Sequence, residues 1–281
     1  MRLRLHEAML SLQKVSKSFP MREGNFEVLN DISLNVKNGE FVCILGPSGC
    51  GKSILLYLIA GFLKTSAAGI TCNHQTITGP GPDRMVVFQN YVLFPWRTVY
   101  QNIALPLKHS RLSARKNTQL IDHYLELTGL TTFKDWYPYQ LSGGMQQRVA
   151  LARSLVVNPK ILLMDEPFAA LDEQYRKYLT KFLVNIWEQT KKTIIFVTHN
   201  INEAIHLADR IYLLTARPAT VKNVYEVNLP RPRKKFDPNF IALHDQIDKD
   251  FSEEFFKILQ NPAIEKSVEG VLKLTGRRGI L

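Results

Sequence analysis

Hydrophobic and polar positions alternate along this chain in two rhythms. Four short apolar runs, FVCIL (41–45), MVVF (85–88), ILLMD (161–165) and TIIFVT (193–198), are unbroken by polar residues until their ends. Runs of that length predict strands buried on both faces, as in a parallel sheet covered by helices, so the fold class is α/β. KSILLYLIAGF (52–62) follows the first run in a helical pattern that should end at Gly61. From about 91 to 158 the strand rhythm stops. ARKNTQLIDHYLELTGL and MQQRVALARSLVV there read as helices of a subdomain inserted between two strands. After 211, IYLL and the PAT–VYEVNL region read as short antiparallel strands. Last, FDPNFIALHDQIDKDFSEEFFKIL carries apolar residues at 240, 243, 247, 251, 255 and 258. That spacing is helical, Asp237 and Pro238 make an N-cap and N1 pair, and the helix is expected to dock on its own domain.

Composition narrows the class. With 281 residues and 45% hydrophobic content the chain can bury a sizeable core, in one large domain or two modest ones. A charged fraction of 22% does not fit a disordered chain. The longest apolar run, ILLYLIAGFL (54–63), is shorter than the roughly 20 residues of a membrane span. The start, MRLRLHEAML, has arginines but no apolar stretch behind them, so no signal peptide is expected and a cytosolic chain is. Cys43, Cys50 and Cys72 show no metal-ligand spacing and suit a reducing compartment. The net charge of +11 would permit nucleic-acid or membrane contacts. It is dispersed, however, with one tight run at RPRKK (231–235), and reads as a solvated basic face.

Candidate chemistry begins at GPSGCGKS (46–53), which fits G-x-x-x-x-G-K-[ST] between a predicted strand and a predicted helix. In such loops Gly46, Gly49 and Gly51 let the backbone curl until its N–H groups face inward, with Pro47, Ser48 and Cys50 completing the turn. The N-terminus of the next helix adds partial positive charge. Lys52 neutralises β- and γ-phosphate oxygens, and the Ser53 hydroxyl can ligate Mg²⁺. Cys50, close to Lys52 and the helix start, is expected to favour its thiolate and to be protected by bound MgATP.

ILLMDEP supplies acidic partners at a strand end. Adjacent strand residues point to opposite sides, so Asp165 can hold Mg²⁺ while Glu166 accepts a proton from the attacking water. His199, just past TIIFVT, lies where open parallel sheets bind ligands and can align that water against the γ-phosphate. Gln89, after MVVF, is similarly placed and can reach Mg²⁺ or the water through its amide oxygen. LSGGMQQR (141–148) opens a helix on Ser142, Gly143 and Gly144, although each glycine costs about 1 kcal/mol of helix propensity.

GPSGCGKS, VVFQN, LSGGMQQR, ILLMDEP, AALD and VTHN, in that order, make the chain resemble the ATP-binding subunits of ABC transporters over about residues 10–235. The resemblance implies a RecA-like P-loop NTPase core with an antiparallel β region and an inserted helical subdomain. It implies an ATPase domain at 1–235, with a C-terminal helical extension at 236–281. It implies ATP and Mg²⁺ as cofactors, and a second ATPase subunit packed head to tail, expected to be a copy of the same chain. Each signature, LSGGMQQR, would then close over the other subunit's ATP through Ser142, Gly143, Gly144 and Gln146. Phe19 matches the aromatic that stacks on adenine, and Gln89 the loop that senses Mg²⁺ and touches the membrane subunit. Asp172 matches the loop linking the two sites, and His199 the switch histidine.

GPGPDRMVVFQNYVLFPWRTVYQNIAL and LPRPRK look like the importer group for nitrate, sulfonate, taurine and bicarbonate. This implies transmembrane permease subunits gripped through Gln89 to Trp96 and the helical subdomain, an outside solute-binding protein met only indirectly, and a peripheral seat on the cytoplasmic face of the inner membrane. No nucleic-acid partner is expected. The sequence departs from the family pattern at Ile54, where a threonine that contacts the α-phosphate is usual, and at Asn200, where aspartate is usual. The first predicts weaker nucleotide affinity. The rival class is a soluble ABC ATPase acting on nucleic acid or ribosomes, which +11 permits. Such proteins carry two ATPase cores or a long coiled coil, and neither is legible here. An ATP-binding scaffold without turnover conflicts with the presence of Glu166 and His199.

Overall fold

The computed structural model describes residues 8–21, 24–110, 112–169 and 171–259. The chain opens with a long antiparallel hairpin, β1 (Ala8–Met21) and β2 (Gly24–Lys37). The sequence pattern predicted no element there, because register shifts between Leu12 and Val15 and between Lys17 and Ser18 break its alternation. In chain order the next elements are β3 (Phe41–Leu45), α1 (Lys52–Ala60), β4 (Ile70–Cys72), β5 (Gln75–Thr76) and β6 (Arg84–Val87). Then come α2 (Val99–Ala104), α3 (Ala114–Leu127), α4 (Gly143–Leu155), β7 (Ile161–Asp165), α5 (Glu173–Thr190) and β8 (Thr193–Thr198). The last elements are α6 (Ile201–Leu207), β9 (Arg210–Leu214), β10 (Val221–Glu226) and α7 (Pro238–Leu259).

Two sheets form. The larger has the order β10-β9-β3-β8-β7-β6, parallel except for β10. The smaller is antiparallel, β2-β1-β4-β5. IYLL was expected in an antiparallel region. It does pair antiparallel with β10, but as β9 it also lies parallel to β3 inside the main sheet. The separate antiparallel sheet is built from the N-terminal hairpin instead.

The apolar strands are continuous because both of their faces are covered. Phe41, Cys43 and Leu45 enter one core with Leu151 of α4, Leu183 of α5 and Ile205 of α6. Val42 and Ile44 enter the other with Leu55 and Ile59 of α1 and Leu12 and Val36 of the hairpin. All five β3 residues are fully buried, and each large one stabilises the fold by about 1.5–3 kcal/mol. The sheet is thereby a rigid plate that presents its C-terminal strand ends at one edge. Helices α2, α3 and α4 lie between β6 and β7, each with a hydroxyl N-cap: Thr98, Ser113 and Ser142. Buried Asn102 donates to the carbonyls of Phe94, Arg97 and Thr98 at 3.2, 3.0 and 3.0 Å, which fixes the loop after Gln89.

Asp237 caps α7, accepting from the Asn239 N–H at 2.9 Å. Phe240 and Ile247 are buried as the spacing predicts. The last turn departs from it: Phe255 is 47% exposed while Glu254 is 1% exposed. Glu254 takes the inner position because it finds the Ala216 N–H at 3.0 Å and Lys222 at 3.0 Å. The rest of the expected extension, 260–281, lies outside the described residues. Among the described residues no helix is long and apolar enough to cross a membrane.

Candidate functional site

Six residues, Gly46–Gly51, join β3 to α1. Gly51, the N-cap of α1, has φ 118°, and a Cβ there would lie 2.9 Å from Val28 Cγ1 and 3.0 Å from Leu29 Cδ2. Both the backbone angle and the close approach of β2 therefore require glycine. Lys52 is 4% exposed and its Nζ donates to the carbonyls of Gly46 at 2.9 Å and Pro47 at 3.0 Å. One turn of sequence thus wraps its own ammonium group.

The end of β7 meets this loop. Ser53 Oγ donates to Asp165 Oδ1 at 2.8 Å. The next residue, Glu166, takes different partners. One of its oxygens lies 3.3 Å from Lys52 Nζ and the other 2.9 Å from His199 Nδ1. Glu166 has φ 42°, a left-handed angle that costs free energy in a glutamate, and its N–H donates to Val197 O at 3.1 Å. Backbone strain at such a position is held by surrounding structure, here the β8 carbonyl. The hydrogen bond from His199 holds the Glu166 carboxyl below its ordinary range, against the opposing effect of burial. The same bond raises the pKa of His199. Asp165 moves up, chiefly through burial.

His199 is oriented by the turn that leads into α6. Thr198 Oγ1 donates to Glu203 Oε2 at 2.6 Å and accepts from the Asn200 N–H at 3.0 Å. Asn200 Oδ1 accepts from the Glu203 N–H at 3.1 Å and caps α6. Asparagine caps a helix about as well as aspartate, so this departure from the family pattern leaves the turn intact without adding charge.

Beside the loop, the hairpin sets Phe19 directly opposite Phe26. A cavity of about 480 Å³ is lined by Phe19, Phe26, Lys52, Ser53, Glu166 and Arg217, with Ile54 adding apolar surface. Phe26 and Arg217 escaped the sequence reading. Neither position carries a periodic signal: the first four residues of β2, Phe26 among them, are all exposed. Cys50 corrects an expectation: it is 1% exposed, and burial pushes its thiol up despite Lys52. Ser48 and Gly49 form the open face of the loop, not Cys50.

The remaining candidates stand apart. Ser142 Oγ accepts from the Met145 N–H at 3.3 Å, and Ser142 and Gly143 are exposed. Gly144 is buried, and a Cβ on it would lie 3.3 Å from Tyr175 Cδ1, so this glycine serves the packing of α4 on α5. Gln146 Nε2 donates to Pro138 O at 2.9 Å and Leu141 O at 3.2 Å. Asp172 Oδ1 caps α5, accepting from the N–H groups of Gln174 and Tyr175, both at 3.0 Å. Gln89 is exposed just beyond β6, where Val87 lies opposite Met164, so it shares the sheet edge with Asp165. Arg153 of α4 donates to the carbonyls of Tyr91 and Val92, both at 2.8 Å, tying the loop after Gln89 to the helix opened by Ser142. Among the described residues no hydrogen bond joins Gln89, Ser142, Gly143 or Asp172 to the phosphate loop, Asp165, Glu166 or His199.

A parallel sheet that delivers a phosphate loop and two adjacent carboxylates to one edge is the core of a P-loop nucleotide hydrolase. Residues 29–169, half of the chain, match the ABC transporter family. The nitrate import ATP-binding protein NrtD of Synechococcus elongatus is 46% identical over 239 residues, covering 83% of this chain and 87% of that one. The bicarbonate transport ATP-binding protein CmpC of the same organism is 45% identical over 246 residues, covering 85% of this chain and 37% of that one. Among solved structures, the dimeric post-hydrolysis ATP-binding cassette MJ0796, bound to ADP and Pi, superposes with a TM-score of 0.69 at 32% identity, covering 79% of this chain and all of that one. This chain belongs to the ABC transporter family.

Proposed function

We propose that the chain is the ATP-hydrolysing subunit of an ABC importer, working as a head-to-tail pair beneath a separate permease on the cytoplasmic face of the membrane. Its solute class is a small anion of the nitrate, bicarbonate or sulfonate kind, a reading supported by the nitrate and bicarbonate import relatives. The observation that carries the catalytic part is Glu166, placed between Lys52 and His199 by a left-handed backbone. We take 1–235 as the ATPase domain, with 91–158 as its helical subdomain, and 236–281 as an extension.

In this reading the N–H groups of Gly46–Gly51 and the start of α1 hold the phosphates, and Lys52 exchanges its loop carbonyls for phosphate oxygens. Phe19 stacks on the base. Glu166, kept ionised by His199, takes a proton from the attacking water, while His199 aligns that water. Ser53 and Asp165 place two hard oxygens 2.8 Å apart, a fit for Mg²⁺, which would complete its shell from water and phosphate. The ion would there neutralise charge on the β- and γ-phosphate oxygens. The signature helix meets the second subunit's nucleotide through Ser142 and Gly143 on its exposed side, with Gly144 and Gln146 behind them, Asp172 links the two sites, and Gln89 reports to the permease.

Phosphate release by the full chain tests this. The expected result is MgATP-dependent turnover that chelation of Mg²⁺ abolishes and Glu166→Gln removes. Turnover that persists in Glu166→Gln would contradict the assignment.

A further inference from the structure

Both ends of α7 reach elements that carry the nucleotide site. At its start the Phe240 ring packs on His206 of α6, with centroids 4.8 Å apart, and α6 is the helix that Asn200 caps behind His199. Along its length α7 is fastened to β10. Asp250 accepts from the Tyr225 hydroxyl and from Asn223 Nδ2 at 3.0 Å, and Lys222 Nζ donates to Asp250 O at 2.9 Å. At its end Glu254 accepts from the Ala216 N–H at 3.0 Å, with Lys222 and Lys257 at 3.0 and 2.7 Å to balance the charge.

A helix docked only to cover a core would bury phenylalanine here and expose the acid. The chain does the opposite, with Phe255 and Phe256 47% and 58% exposed and Glu254 1% exposed. Burying a carboxylate is unfavourable unless it is paired and hydrogen-bonded, so the loop it fastens is the notable feature. That loop carries Arg217, whose guanidinium donates to Gly49 O of the phosphate loop and lies 4.9 Å from the Phe26 ring centroid. Across a trans peptide the carbonyl of Gly49 and the N–H of Cys50 point in opposite directions. With the carbonyl engaged outside by Arg217, the N–H is held toward the loop interior, where it meets Pro47 O at 3.4 Å. Phe26, Gly49 and Arg217 line both the nucleotide cavity and a second cavity of about 480 Å³ that runs to Lys257 and Ile258 of α7.

We propose that Arg217 is a positioning residue of the phosphate loop and that Glu254 of α7 sets it, so that the C-terminal helix tunes the affinity for ATP. The proposal rests on residues 46–53 binding ATP. Calorimetric titration of the full chain with MgATP tests it. Arg217 acts on the loop and not on ATP directly, so a loss the size of one ordinary hydrogen bond is expected, with ATP binding roughly 5- to 10-fold weaker in Arg217→Ala. Its KM for ATP should rise while kcat stays within about twofold. Glu254→Ala should weaken binding in the same direction, and Glu254→Gln, which keeps an acceptor for Ala216, should return most of it. If Glu254→Ala does not fold, Glu254→Asp carries the same expectation, since it keeps the charge near Lys222 but withdraws its oxygen from Ala216. Because Glu254 acts through Arg217, the double variant should bind no more weakly than Arg217→Ala alone. Wild-type affinity in Arg217→Ala, or additive losses in the double variant, would overturn the proposal. Lys52→Ala separates the layers. If it loses ATP while Arg217→Ala does not, only this inference falls. If Lys52→Ala binds ATP normally, the reading of the loop itself falls.

Discussion

At the ends of β7 and β8 the working groups are satisfied inside one chain. Ser53 meets Asp165, Lys52 meets Glu166, and Glu166 meets His199. Lys52 and Asp165 are 4% and 5% exposed. At the start of α4 the opposite holds: Ser142 and Gly143 face outward and touch none of these groups. Yet both regions hold their backbones firmly, one by the strained turn at Glu166, the other by the Ser142 cap and the packing of Gly144 on Tyr175. On the proposed reading, this exposed helix start is offered to the phosphate of a neighbour's nucleotide. The contrast fits the proposal of a catalytic half completed within each subunit and a clamping half offered to a neighbour.

The largest expected effect strikes the finished half. Glu166→Gln removes the proposed proton acceptor and keeps the shape, so steady turnover should fall by about 10²–10⁴-fold, the range for general-base loss. ATP binding should persist, and the variant should accumulate as an ATP-bound dimer on gel filtration. Lys52→Ala should act on binding instead. It leaves phosphate charge uncompensated, and the dissociation constant for ATP should rise on the order of tenfold to a hundredfold. Together the two variants separate catalysis from capture within that half.

A pH experiment probes how tightly the half is knit. His199 has a raised pKa because of Glu166, so its extra stability is fully present below the ordinary imidazole value and is lost as pH rises through the raised one. Glu166 has a lowered pKa, chiefly from His199, so its contribution is present above the ordinary carboxylate value and is lost as pH falls through the depressed one. The melting-temperature gap between wild type and His199→Asn should therefore be widest between those limits and should close on the alkaline side. A gap that widened with rising pH would contradict the contact. Smallest is the effect at Cys50. Burial raises its pKa, so thiol reagents should modify it slowly in the folded chain and quickly in denaturant, as read by mass.

Legibility in the sequence followed the range of the interactions. β3, β7 and β8 were read to the residue, because burial on both faces leaves an unbroken apolar run. The phosphate loop, Asp165, Glu166 and His199 were legible because each sits at the end of such a run. The N-terminal hairpin was not, since its bulges erase the alternation. Nor was the last turn of α7, where Glu254 displaces Phe255 by reaching Ala216, 38 residues away. Phe26 and Arg217 enter the cavity only through pairing across the hairpin and approach from the loop after β9. Periodicity carries no information at those distances.

The contrast between a closed half and an offered half is tested most directly by a crosslink. A chain carrying Ser48→Cys and Ser142→Cys on a Glu166→Gln background is treated with a short thiol crosslinker, with and without MgATP. Covalent dimers joining position 142 of one chain to position 48 of another, formed only when ATP is present, are the expected result. Crosslinks confined to single chains, unchanged by ATP, would contradict it.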